Sequence, residues 1–226
     1  MDMFIGGGGD DLQWLGLGVV RDYAATYSRL SGQPNLYLPN ARTGRAVRMI
    51  EAAVGRGEVV NIIGHSWGAV DAYAAAVAAR RRGLTIANLV TLDPVSGLWR
   101  RPPKWSGGVF WLNVGIAPSV PDASDRLSKR RPFAVKPSRL PTHLADGRVV
   151  LDLNHRDVEP MMRISGAQTR LLQAARHESG NGPFARTFEN HGFNRHYALA
   201  AEDATWQLGG ETKRARTTLS FFASTG

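Results

Sequence analysis

Ser66 stands between two glycines, in Gly64-His65-Ser66-Trp67-Gly68, and the spacing points to nucleophilic chemistry. A serine hydroxyl attacks a carbonyl carbon when it is presented on an exposed turn with a base beside it. The pattern Gly-x-Ser-x-Gly, a nucleophile elbow, builds that turn. The chain leaves a strand, reverses sharply and enters a helix, so the residues two before and two after the serine must be small. The N–H of Trp67 then lies at a helix N-terminus, where it can stabilise the oxyanion of a tetrahedral intermediate. Such a pentapeptide also arises by chance as a plain glycine-flanked turn, so its surroundings decide. Val59-Val60-Asn61-Ile62-Ile63 before it is apolar and β-branched, as a strand buried on both faces is. Ala69 to Ala79 after it consists of helix formers and runs into Arg80-Arg81-Arg82-Gly83, cations followed by a terminating glycine.

A serine nucleophile needs a base to take its proton and an acid to orient that base. In a parallel sheet these lie at the C-terminal ends of later strands, in the chain order serine, acid, histidine. Asp93 ends the apolar run Ile86–Leu92, and Pro94 after it predicts an extended backbone at the aspartate. A cap or turn aspartate is the plain alternative, and Asp122, Asp125 and Asp146 are rivals for the role. Of the six histidines, His65 lies inside the elbow and is expected to point away from Ser66, and His143 precedes the strand expected at Val149–Leu153. His155 follows that strand and precedes a helix, where a base belongs. His177, His191 and His196 fall in the tail, with His191 and His196 next in line after His155; a surface histidine is the alternative for each.

A third group could complete such a site. Gly6-Gly7-Gly8-Gly9-Asp10-Asp11 follows the first expected strand, Met3–Ile5. A glycine run there lets backbone N–H groups approach a ligand, and an N–H near Gly7 or Gly8 would be the second oxyanion donor. A dinucleotide loop or a flexible turn are the other readings. The Gly-x-Gly-x-x-Gly spacing is absent, however, because Asp11, Leu12 and Gln13 follow the run.

The remaining pattern supplies the frame. Leu17–Leu30 has a helical face of Leu17, Val20, Ala24, Tyr27 and Leu30; Asn35–Leu38 reads as a strand and Ala41–Val54 as a helix. With strands at Ile86–Leu92 and Val109–Val114, the order is βαβαβαββ, an α/β fold with a mostly parallel sheet and helices on both faces. Residues 116–147 read as an irregular basic insert, Val149–Leu153 as the last strand, and Val158–Ala175 as a helix interrupted at Gly166. In the weakly patterned tail, 177–226, one helix is suggested, over Tyr197–Leu208.

At 226 residues and 43% hydrophobic content, the chain is expected to form one domain, 1–226. It has no cysteine, which excludes disulfides and thiolate metal sites. No apolar run reaches membrane-span length and no signal-peptide pattern opens the chain, so the expected location is cytoplasmic, or outside the cell by a route that needs no such signal. The net charge is +9, and Arg100–Leu140 carries nine Lys or Arg against two Asp, so that segment holds seven of the nine positive charges. It is either a solvated loop or a surface for an anionic partner.

Several of these stretches together resemble the small bacterial lipase-like α/β hydrolases. They are Ile62-Ile63-Gly64-His65-Ser66-Trp67-Gly68, Thr91-Leu92-Asp93-Pro94-Val95-Ser96, Trp111-Leu112-Asn113-Val114 and His155-Arg156-Asp157-Val158-Glu159-Pro160-Met161-Met162. Phe4-Ile5-Gly6-Gly7-Gly8-Gly9-Asp10 is similar to the family's first strand and glycine loop, and the likeness ends near Met162. The resemblance implies Asp93 as acid and His155 as base, and a serine esterase, lipase or phospholipase that works through an acyl-enzyme. Its substrate would be a lipid or small ester, with no metal or organic cofactor and no specific nucleic acid. Peripheral contact with an anionic membrane follows from the basic insert. Unlike larger lipases, the chain is expected to lack a substantial separate lid domain. Two other classes remain: a catalytically silent protein that binds a polyanion through the insert, and a nucleotide-binding enzyme that uses the glycine run.

Overall fold

The computed structural model describes residues 1–8, 10, 18–32, 35–39, 43–97, 101–128, 138–178, 204–208, 211–215 and 217–219. Six strands run parallel: β1 (Asp2–Ile5), β2 (Asn35–Leu38), β3 (Asn61–His65), β4 (Asn88–Leu92), β5 (Phe110–Ile116) and β6 (Gly147–Leu151). Their spatial order is β2-β1-β3-β4-β5-β6. The chain moves from β1 outward to β2, then crosses to β3 on β1's other side and continues to β6. That reversal makes the C-terminal ends of β1 and β3 a topological switch point, where open α/β sheets leave a crevice.

Helices cover both faces. On one side lie α2 (Thr43–Gly55) and α3 (Trp67–Arg81), and on the other α1 (Val19–Ser31), α5 (Val158–Ile164) and α6 (Ala167–Glu178). The strand side chains divide by alternation. Met3, Ile5, Ile62, Leu89 and Trp111 enter the core beneath α2 and α3, while Phe4, Ile63, Val90, Leu112 and Val114 enter the core beneath α1, α5 and α6. Burying each large apolar side chain contributes about 1.5–3 kcal/mol. Doubly covered strands read as continuous apolar runs for this reason, and the fold is α/β-hydrolase-like, with the Ser66 turn at the end of a central strand.

Several elements differ from the sequence expectation. The elbow strand starts at Asn61 rather than Val59, which is 37% exposed. Asn61 is buried instead, because it belongs to a polar ladder in strand register: its amide donates to Asp2 Oδ1 (2.6 Å) and accepts from Asn88 Nδ2 (2.7 Å). Arg170 Nε closes the row on Asn88 Oδ1 at 2.6 Å. On α1, Leu30 is exposed and Tyr23 takes its place in the buried face with Val20, Ala24 and Tyr27; Leu17 lies outside the described residues.

The stretch 116–147 is less irregular than its composition suggests. It contains α4 (Ala123–Ser128), started by aspartate caps that a proline-rich, basic composition hides, and a 3-10 turn at Thr142–Leu144 that follows Pro141. The interruption at Gly166 is a true break between α5 and α6. β6 is not the last strand. β7 (Ala204–Leu208) pairs antiparallel with β8 (Glu211–Ala215), and β9 (Thr217–Leu219) adds antiparallel to β6. The helix expected over Tyr197–Leu208 is thus overturned where it is described, at 204–208. Only two residues, both glycine, separate β7 from β8 in sequence, a hairpin signal that outweighs the helical tendency of the alanines before it. No described helix is long and apolar enough to cross a membrane.

Candidate functional site

Ser66 occupies the sharp turn between β3 and α3 with φ 57° and ψ −123°. A left-handed φ on a non-glycine residue costs about 1–3 kcal/mol and persists only when the surroundings enforce it. The surroundings here are backbone hydrogen bonds: Ser66 N donates to Leu92 O (3.0 Å), while Val95 N and Ala69 N donate to Ser66 O (3.2 and 3.1 Å). The glycines expected two residues away on either side are sterically required. A Cβ at Gly68 would stand 2.3 Å from the carbonyl oxygens of both Ile5 and Gly6.

Three side chains meet in line at the C-terminal edge of the sheet. His155 Nε2 is 3.0 Å from Ser66 Oγ, and His155 Nδ1 is 2.5 Å from Asp93 Oδ2. An aspartate oxygen at Nδ1 fixes the tautomer: Nδ1 carries the proton, and Nε2 accepts from the serine hydroxyl. All three are buried, with Asp93 2%, Ser66 8% and His155 9% exposed. Asp93 is not extended as Pro94 led one to expect; its φ is 36°. Its N–H stays in the sheet, donating to Val114 O at 2.6 Å, while its carboxylate turns out toward the histidine.

Gly7 lies directly over the serine, since a Cβ on it would be 2.9 Å from Ser66 Cβ. Gly8 lies against the Trp67 ring, 2.8 Å from Cε3 by the same measure. Register explains the approach: Ile5 pairs with Gly64, so the residues that follow each strand run side by side. The glycine run is braced from below by Asp10, which is 2% exposed and accepts from Tyr37 Oη (2.6 Å) and Val20 N (3.2 Å). Burial, outweighing those hydrogen bonds, pushes the Asp10 carboxyl above the usual aspartate range.

The remaining expected residues fall elsewhere. His65 Nε2–H donates to the carbonyl of His155 at 2.7 Å, and its ring lies 4.6 Å from that of His155, so it touches the base. His143 is on the 3-10 turn and His177 on α6, whereas His191 and His196 lie outside the described residues. None of the rival acids meets the imidazole of His155 as Asp93 does. Asp146 accepts from Trp111 N (2.8 Å), Asp122 caps α4, and Asp125 accepts from the backbone N–H of His155 (3.1 Å). The contacts of Asp10 and Asp125 carry no motif, and only a carboxylate at capping distance from Asp122 hints at the second. Among the described residues no three His, Asp or Glu side chains converge as metal ligands do.

No protein-family profile matches the chain, and no curated protein matches it in sequence. Among solved structures, one that resembles it is a candidate hydrolase of the α/β superfamily from Xanthomonas campestris pv. campestris. The two are 16% identical, the match covers 76% of this chain and 98% of that one, and the TM-score is 0.45.

Proposed function

We propose that this chain is a serine hydrolase that cleaves carboxylic esters through an acyl-enzyme. The observation that carries the reading is the line Ser66 Oγ, His155 Nε2, His155 Nδ1, Asp93 Oδ2, with separations of 3.0 and 2.5 Å. In this reading Ser66 Oγ attacks the ester carbonyl as Nε2 takes its proton, and Asp93 stabilises the imidazolium. The oxyanion is held by the N–H of Trp67, which as the first residue of α3 has no intrahelical acceptor, and by an N–H of the Gly7–Gly8 segment. Nε2 then gives its proton to the departing alkoxide. Water enters, loses a proton to Nε2, attacks the acyl carbon, and the proton returns to Ser66 Oγ as the carboxylic acid leaves. One oxyanion donor is worth about 10²–10³-fold in turnover.

The substrate class we assign is a lipid ester presented at an anionic surface, as in a lipase or phospholipase. The chain leaves β5 on the same edge as the site, with Ser119 N held by Asp152 Oδ1, close in sequence to His155. Val120 and Leu127 are exposed along this stretch, and Arg126 sits beside Leu127. Apolar side chains among cations suit the boundary of an anionic bilayer, where each Lys or Arg near the surface contributes about 1 kcal/mol.

The same charge also favours a second reading, a silent protein that holds a polyanion. A fluorophosphonate probe separates the two. Stoichiometric labelling that disappears in Ser66→Ala is expected for the hydrolase; no labelling at high protein concentration would leave the binder.

A further inference from the structure

Both sides of the peptide at His155 are gripped by side chains that take no part in proton transfer. Its carbonyl accepts from His65 Nε2 (2.7 Å) and its N–H donates to Asp125 Oδ1 (3.1 Å). Asp125 is 1% exposed and thirty residues away in sequence. Its other oxygen is engaged as well: Oδ2 accepts from Asp122 N at 3.0 Å, while Asp122 Oδ1 accepts in return from Asp125 N at 3.1 Å. This is a reciprocal capping box, Asp-x-x-Asp in place of the usual Ser-x-x-Glu, and it starts α4. Ser124 N (2.7 Å) and Ser124 Oγ (2.5 Å) complete the Asp122 side.

A helix of six residues needs a cap, but it does not need a buried carboxylate for one. Exposed Ser, Thr or Glu would serve as well. Burial works against the charge, and together with neighbouring Asp122 it pushes the Asp125 carboxyl above the usual range. A carboxylate kept in such a place has acceptors to offer in two directions, and the second direction here is the base.

We infer that Asp125 is a positioning residue for His155: one carboxylate fastens α4 to the backbone of the base and so sets where the imidazole stands between Ser66 and Asp93. The inference rests on the reading of His155 as the base. Beyond this latch, the turn that carries His155 is closed by its own bonds, Asn154 N to Asp157 Oδ2 (2.9 Å) and Asp157 N to Asn154 O (3.0 Å). These shape the turn without tying it to α4. A displacement of about 1 Å in a catalytic group costs on the order of 10²-fold in rate.

The test compares Asp125→Ala and Asp125→Asn with Asp122→Ala, which breaks the same cap but leaves the acceptor for His155 in place. The readouts are kcat and KM on a short p-nitrophenyl ester, Tm, and the far-downfield proton resonance of the His155 Nδ1–H bond to Asp93. Asp125→Ala is expected to lower kcat about 10–100-fold with KM within about twofold, and to shift or broaden the downfield proton. Asp125→Asn, which keeps the packing volume and one acceptor, should show the same changes to a smaller degree. Asp122→Ala should lower Tm and leave kcat and the proton signal alone. Unchanged kcat and signal in folded Asp125→Asn and Asp125→Ala would overturn the inference, as would an equal loss of kcat in Asp122→Ala. Turnover that survives Ser66→Ala would instead sink the hydrolase reading, and the proton resonance would still report whether Asp125 sets the imidazole.

Discussion

Gly64 and Gly68 touch across the elbow: a Cβ on Gly64 would stand 2.3 Å from the carbonyl oxygen of Gly68 and 2.6 Å from Ala72 Cβ. The atoms it would meet are backbone and the stub of a helix, so nothing flexible can yield. Gly64→Ala or Gly68→Ala should therefore cost about 3 kcal/mol, the upper part of the range for overpacking. That corresponds to a fall in Tm of roughly 6–12 °C for a chain of this size. Gly55→Ala is the control, since a Cβ there meets nothing within 4 Å. It should leave Tm unchanged or raise it slightly. Equal Tm values for Gly64→Ala and Gly55→Ala would mean the elbow is not packed as described.

The three residues in line should behave as a unit. Ser66→Ala should fold with wild-type Tm or better and lose nearly all turnover of a p-nitrophenyl ester. His155→Ala should cost about as much, because losses within a triad do not add. Asp93→Asn presents the wrong tautomer to the serine and should cost about 10³–10⁴-fold in kcat. Loss of turnover in His191→Ala or His196→Ala, with His155→Ala active, would move the base to the tail.

The basic segment should matter only at a surface. Replacing Arg126, Lys129, Arg130 and Arg131 with Ser should lower activity on anionic vesicles and leave a soluble short-chain ester nearly untouched. The vesicle effect should fade as salt rises, because screening shortens the attraction to about 8 Å at physiological ionic strength. Equal losses on both substrates, or no loss on vesicles at low salt, would make the segment a solvated loop.

Asp10 gives a pH dependence whose sign is fixed. Its carboxyl is raised by burial in the folded state, so between its unfolded and folded pKa values the native protein binds more protons than the unfolded chain. Stability from this group is therefore lost as pH rises through that window, which opens near 3.9, the ordinary aspartate value. Asp10→Asn removes the titration. The difference in Tm, Asp10→Asn minus wild type, should grow as pH rises from about 4, and a flat difference would show that the carboxyl is not raised.

How far the molecule can be read from its residues depends on how local the reason is. The alternation of helices and strands up to β5 was legible because apolar periodicity is imposed within each segment by the face it buries. So was the turn at Ser66, where a β-branched run, two glycines and an alanine-rich helix each act on their neighbours. The weak points were of two kinds. Val59 falls outside the strand expected of it, whereas polar Asn61 opens the strand and is buried because the ladder Asp2, Asn61, Asn88, Arg170 supplies partners from four separate elements. Composition hid α4 because two aspartates, not apolar spacing, begin it.

Sequence by itself determined the strand, the strained turn and the helix around Ser66, and with them the α/β class, since these follow from sterics and burial within a few residues. Tertiary structure alone decided which groups gather there. Chain order and position after a strand named Asp93 and His155 as candidates. Ser66 and His155 are 89 residues apart, however, and Asp93 and His155 are 62 apart, so only the tertiary structure singles them out by contact among six histidines and four candidate aspartates. Strand order makes that contact. β3, β4, β5 and β6 lie side by side and end on one edge, so whatever follows β3, β4 and β6 is brought together. The same edge turned Asp125, a rival for the acid by chain position, into the acceptor that holds the backbone of His155, because α4 emerges from β5 beside the loop that leaves β6.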